Sequence, residues 1–245
     1  STTIYKTNYS VQLGDSVILI DQEINGNLFE GYFQDRWATS PGLEILMGLR
    51  TSRFSKSSVS YFNPRLSVFY RFTDELFFKA STGITHQFLN RFSNDLITNG
   101  SKFVWLLPNE DADPMAVQQI SLGIEYDTPH IFIGLDIYNK VMDNITDFSQ
   151  LVFPVDNYIE ETNSLVFKGS MTAKGLELLV RKKDGYLRGW AAYNYGIVEC
   201  EFPDLNGGKT FLADHDRTHE LKSAIIWSLG PWNMAVTGLI SSGRV

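Results

Sequence analysis

One cysteine, Cys200, stands in a chain of 245 residues. A single thiol excludes a disulfide framework within the chain and a thiolate metal centre, which needs several ligands at matched spacing. No run of eighteen or more mostly apolar residues occurs, so no transmembrane helix can be read. That lack does not exclude a membrane, because spanning β-strands are only about ten residues long and half polar. Helical periodicity is nearly absent. An excess of positive charge is missing as well: the formal net charge is −7, and no basic stretch stands out as a nucleic-acid footprint. Residues Ser1 to Lys6 have neither the charged nor the apolar region of a leader peptide, so any export signal is expected upstream. No Ser-His-Asp set, Gly-rich phosphate loop or pair of catalytic carboxylates can be located. An enzyme is therefore not expected, and no cofactor is implied.

What the chain has instead is alternation. It is 43% hydrophobic, 20% charged and 13% aromatic, with 17 Phe and 11 Tyr, a composition that favours strands over disorder. In "NPRLSVFYRFTDELFFKASTG", Leu66, Val68, Tyr70 and Phe72 share one face of an extended strand. Leu76, Phe78, Ala80 and Thr82 repeat the pattern after Thr73-Asp74-Glu75. Strands are expected at about 28–39, 43–52, 62–73, 76–88, 116–127, 130–142, 171–182, 185–200, 219–229 and 232–243, with a weaker one near 2–13.

The connections fall into two alternating classes. Short ones, such as Ser40-Pro41-Gly42 and Lys183-Asp184-Gly185, carry turn formers, and Asp184-Gly185 is a strong hairpin signal. Long ones lie near 14–27, 53–61, 89–115, 143–170 and 201–218. An up-and-down antiparallel sheet gives this rhythm when all tight turns sit at one end, as outer-membrane barrels show. A Greek-key sandwich mixes connection lengths and includes crossovers. The faces agree. Leu43, Ile45, Met47 and Leu49 lie on one side, joined by Ile131, Ile133, Leu135, Tyr193 and Tyr195. Arg65, Lys79, Glu125, Asp136, Arg188 and Lys222 lie on the other, which suits a hydrated lumen. Trp37, Phe72, Phe78, Tyr126, Trp227 and Trp232 gather near the short turns, as interfacial aromatic girdles do.

Several segments resemble the barrel of TonB-dependent outer-membrane receptors. "FQDRW" (33–37) followed by "LEILMGLR" (43–50) is similar to that family's Q-D-x-W strand and the G-L-R strand after it. The 63–83 hairpin resembles P-R-x-S…Y…K-A-S-x-G, and "QQISLGIEY" ends in the pattern Q-x-x-x-G-x-E-Y. "TAKGLELLVRKKDGYLRGWAAYNY" (172–195), "DRTHELK" and "SSGR" resemble later motifs, in the family's order. The resemblance implies an all-β, up-and-down antiparallel transmembrane β-barrel. Residues 1–245 would supply about 10–11 of the family's 22 strands, with the plug domain and the closing C-terminal strand absent from this chain. It implies the bacterial outer membrane, with long loops extracellular and short turns periplasmic. It also implies energy-coupled uptake of a scarce nutrient of the siderophore, cobalamin or glycan class. The implied partners are outer-membrane lipid, a small-molecule or oligosaccharide ligand, and the TonB energy-coupling complex acting through the plug. The alternatives are a soluble β-sandwich carbohydrate-binding module and a passive porin.

Ligand capture is expected on the long loops, because loops on a rigid scaffold carry recognition. The candidates are Trp105, Asn109, Asp111, Tyr158, Asp204 and Asp214. Loops 14–27, 89–115, 143–170 and 201–218 are each net acidic, a rim that repels polyanions. No metal site is expected. His215 and His219 in "DHDRTHE" stand four apart, a ligand spacing on a helix, but the surrounding pattern is a loop entering a strand. "NEDAD" lacks the Gly and distal Glu of an EF-hand loop.

Overall fold

The structure, a computed structural model, describes residues 2–7, 11–13, 16–18, 24–55, 59–93, 103–106, 113–148 and 166–243. Alternating large and small side chains with no helical period give strands throughout. They are β1 (Thr2–Thr7), β2 (Val11–Leu13), β3 (Ser16–Ile18), β4 (Ile24–Ser40), β5 (Leu43–Phe54), β6 (Ser60–Arg71), β7 (Leu76–Gln87) and β8 (Asn90–Ser93). There follow β9 (Phe103–Leu106), β10 (Met115–Asp127), β11 (Ile131–Phe148), β12 (Val166–Lys182), β13 (Leu187–Glu201), β14 (Phe211–Leu212), β15 (His219–Leu229) and β16 (Trp232–Ser241). One sheet runs β1-β4-β5-β6-β7-β10-β11-β12-β13-β15-β16, antiparallel at every described pairing, with β14 paired to β13 beside this path. This is the expected up-and-down sheet, and it excludes the sandwich. The ten long strands from β4 to β16 have 10–18 residues, enough to cross a bilayer at a tilt.

Register turns period two into two chemically distinct walls, because directly opposed residues share a face. One wall reads Met47–Leu66–Thr82–Ile120 across β5, β6, β7 and β10. A neighbouring row continues Ile124–Leu135–Leu178–Tyr193–Leu221–Ile240 from β10 to β16. Large apolar residues on this wall stay exposed, including Ile225 at 52%, Val236 at 69% and Trp232 at 72%. A soluble sheet would bury such a face, so it fits lipid. The other wall carries Ser67–Ser81–Ser121–Tyr138 and, one row nearer the short turns, Lys79–Gly123–Asp136–Glu177–Asn194–Glu220. Leu66, Val68, Tyr70, Ile131, Ile133, Leu135, Tyr193 and Tyr195 fall on the apolar wall, and Arg65, Lys79, Glu125, Asp136, Arg188 and Lys222 on the other, as the alternation predicts.

The short turns are tight and cross-linked. Gly185 takes φ 87°, the left-handed value that the Asp-Gly signal requires. His130 Nδ1 lies 2.5 Å from Asp184 Oδ2, tying the turn after β10 to the turn after β12. That hydrogen bond holds the Asp184 carboxyl below the usual carboxylate range. Lys183 bonds Asp127 and the Thr128 carbonyl across the same gap.

The loop end departs from expectation in three places. The weak strand near 2–13 is two strands: β1 joins the long sheet, whereas β2 pairs with β3 in a separate hairpin. The 143–170 loop is shorter than read, since β11 continues to Phe148 and β12 begins at Val166. Within β11 the register shifts between Asp143 and Ile145, so the alternation that marks a strand breaks while the backbone ladder continues. Within 89–115, β8 and β9 form a two-stranded hairpin of their own.

Candidate ligand-capture end and lumen wall

Trp105 lies in β9, opposite Arg91 of β8. Asn109, Asp111 and Tyr158 fall outside the described residues. Asp204 and Asp214 are both exposed, on the connection between β13 and β15. The bases of the three long connections meet: Ser170 pairs with Glu201, and the Asn144 side-chain amide donates to the Pro114 carbonyl at 3.3 Å.

The 201–218 connection is a packed cap. Phe202 and Ala213 are 3% exposed and cluster with Ile145 and Cys200. Met115, Met142, Met171 and Phe211 pack around them. β14 lengthens the sheet along β13 through Glu199–Leu212 and Cys200–Phe211. Asp216 is 1% exposed. Its Oδ1 accepts the Val198 N–H at 2.8 Å and its Oδ2 accepts the Thr218 hydroxyl at 2.9 Å. The "DHDRTHE" cluster is thereby dispersed: Asp216 is a buried structural acceptor, and His219 Nδ1 meets the Tyr193 hydroxyl at 2.8 Å. Among the described residues, no three His, Cys, Asp or Glu side chains gather for a metal. Asp216→Ala should strand the Val198 N–H and cost about 2–4 kcal/mol, since a lost charged hydrogen bond also leaves a buried donor unsatisfied. Limited proteolysis of the membrane-embedded receptor should then cut within 201–218 where the parent resists. An unchanged cleavage pattern would show that Asp216 does not hold the cap.

A second apolar cluster sits at the loop end of β4–β7, where Leu28, Phe54 and Phe88 bury one another beside Tyr61 and Leu89. Below it the lumen wall becomes polar. Arg50 Nη2 lies 2.5 Å from Glu30 Oε1. Asn63 Oδ1 accepts the His86 backbone N–H at 2.9 Å and meets His86 Nδ1 at 2.8 Å. Arg65 donates to Gln34 Oε1. These groups border a recess of about 870 Å³. Deeper in, Lys79 bridges Glu125 at 2.6 Å and Asp136 at 3.1 Å, closing the acidic row with a cation. Sequence reasoning placed Arg65 and Lys79 in the lumen but missed the recess. A strand reads as a line, and which residues face one another across five strands follows only from register.

With two walls and one topology in view, the comparisons with known proteins fall into place. The family described as TonB dependent receptor-like, beta-barrel matches residues 2–243. The chain belongs to the TonB-dependent receptor β-barrel family. This is a family of bacterial outer-membrane receptors and transporters, not of enzymes. No curated protein sequence matches the chain. Solved barrels of this family superpose on it at low identity. The siderophore receptor PirA from Acinetobacter baumannii is 16% identical, with a TM-score of 0.62, over 88% of this chain and 33% of that one. The ferric enterobactin receptor PfeA from Pseudomonas aeruginosa, a G324V mutant, is 15% identical, with a TM-score of 0.64, over 94% of this chain and 34% of that one. The FrpB iron transporter from Neisseria meningitidis is 12% identical, with a TM-score of 0.64, over 88% and 32%. The chain thus spans about a third of these TonB-dependent receptors, and the shared feature is the barrel fold.

Proposed function

We propose that this chain forms part of the barrel wall of a receptor that takes up a scarce nutrient across the outer membrane. In this reading the long connections face outward and bind the nutrient, and the short turns face the periplasm. The observation that carries the reading is the single up-and-down sheet with one exposed apolar wall and one charged wall. The apolar wall meets outer-membrane lipid. A plug domain outside this chain links the receptor to the TonB energy-coupling complex. Similar solved structures are described as a siderophore receptor, a ferric enterobactin receptor and an iron transporter, which supports an iron chelate ahead of cobalamin or a glycan. Family membership supports energy-coupled import over a passive pore.

The test uses the full-length receptor in its own cells. It should fractionate with outer membrane and need detergent for release. Excising 96–110, which removes β9 of the separate β8–β9 hairpin, or 150–164 should weaken uptake while barrel assembly persists, because neither cut enters a strand of the long sheet. The third connection is a packed cap, so Asp204→Ala with Asp214→Ala replaces excision there. Alanine at Trp105, Asn109, Asp111 or Tyr158 should weaken uptake in the same direction. Full uptake after all three connections are altered would move recognition away from the loops.

A further inference from the structure

We infer that the lumen recess bordered by Arg50, Asn63, Arg65 and Gln119 is a binding subsite for a compact carboxylate-bearing ligand, held through Arg65. The inference rests on the receptor reading above and adds a chemical class and a residue to it. Arg65 is exposed in the recess, and among the described residues no carboxylate pairs with it; its contact is the neutral Gln34 amide. Gly48 stands opposite Arg65 in the register. A Cβ at Gly48 would come 2.5 Å from Arg65 Nε and 2.9 Å from its Cγ. The missing side chain is therefore what lets the Arg65 side chain lie along the wall, where it borders the recess. Arg50 adds a second guanidinium, half exposed even though Glu30 holds one of its nitrogens.

Around the two cations the lining includes the amides and hydroxyls of Asn63, Gln119, Ser67 and Ser81, and one carboxylate, Glu30, which Arg50 pairs. Planar guanidinium forks match carboxylate oxygens in pairs; the one carboxylate in the lining, Glu30, is held by Arg50, which leaves Arg65 as the cation without an acidic partner among the described residues. The recess volume of about 870 Å³ fits the size range of small-molecule sites. The net acidic loops repel a polyanion, which restricts the ligand to a compact molecule with few negative groups.

The probe is citrate, titrated calorimetrically into the full-length receptor purified from outer membranes, with maltotriose as neutral control. The parent should bind citrate and ignore maltotriose. Arg65→Gln should weaken citrate binding about tenfold or more, as expected for losing a charge-assisted bond. Gly48→Ala should weaken it by displacing Arg65. Arg188→Gln, on the lumen wall at the short-turn end, should bind as the parent does. Equal citrate affinity in parent and Arg65→Gln, or no citrate binding by the parent, overturns the inference. A cysteine substituted at position 65 should react with a maleimide added to intact cells. If it is fully protected, another part of the receptor fills the recess and the inference is wrong. Fractionation and uptake in the same cells keep the two readings apart. A receptor that sits in the outer membrane and imports its nutrient, yet ignores citrate and Arg65, sinks only the subsite.

Discussion

Leu135→Arg should cost the barrel about 2–4 kcal/mol, and Ser121→Arg should cost much less. Leu135 lies on the apolar wall between Ile133 and Ile137 of β11, opposed by Ile124 on one side and Leu178 on the other. A guanidinium there has no polar neighbour and must be desolvated among alkyl chains, or drag water into the belt. Ser121 belongs to the charged wall. Its hydroxyl lies 2.7 Å from that of Ser81, and it borders a hollow that Glu44, Lys79 and Asp136 also line. An arginine at 121 loses one hydroxyl pair, reaches a nearby carboxylate and stays wet. The measurement is the fraction of receptor assembled in the outer membrane, read by heat-modifiable gel mobility, with urea midpoints for what assembles. Equal tolerance of the two substitutions would undo the assignment of walls.

Phe54→Ala should remove about 3–5 kcal/mol from the loop end of β4–β7, the usual range for emptying a buried phenylalanine site. Phe54 is fully buried. Its ring lies over Gly26, where a side chain would collide with it, and its centroid is 6.4 Å from that of Phe88. Tyr61 meets Phe88 edge-on at 5.4 Å, so one ring anchors three segments distant in sequence. The effect should stay local, because the ladders nearer the short turns do not pass through this cluster. Hydrogen exchange should rise at 26–28, 52–54 and 86–88, while β5 and β6 near Leu43 and Tyr70 keep their protection. Unchanged exchange at the loop end would show that the cluster does not hold these strands.

The fold was legible wherever one strand face is apolar and the other polar. There the alternation of Leu66, Val68 and Tyr70 against Arg65 and Ser67 is forced by physics, and turn formers punctuate it. The legibility ends where that contrast ends. Val141 to Phe148 is strand, yet its register shifts at Asn144, which takes φ 57°, and no clean period survives the shift. The capture site was less legible. Asp204 and Asp214 read as solvated loop acids, and they are exposed, but nothing local announces that Phe202, Ala213 and Asp216 between and beside them are buried. The recess at Arg65 depends on Gly48 and Gln34, which are distant in sequence and become neighbours only through pairing.

Among the described residues, each long strand of the sheet is hydrogen-bonded to the long strands next to it in the chain, and to no long strand further away. On alternate steps the segment that must close is a turn of a few residues. On the others, closure entropy grows only as the logarithm of the connection length. Every completed strand then exposes a row of free N–H and C=O groups on which the next can register. Assembly can therefore run as a zipper, one hairpin at a time, without holding remote segments together before the first pair forms.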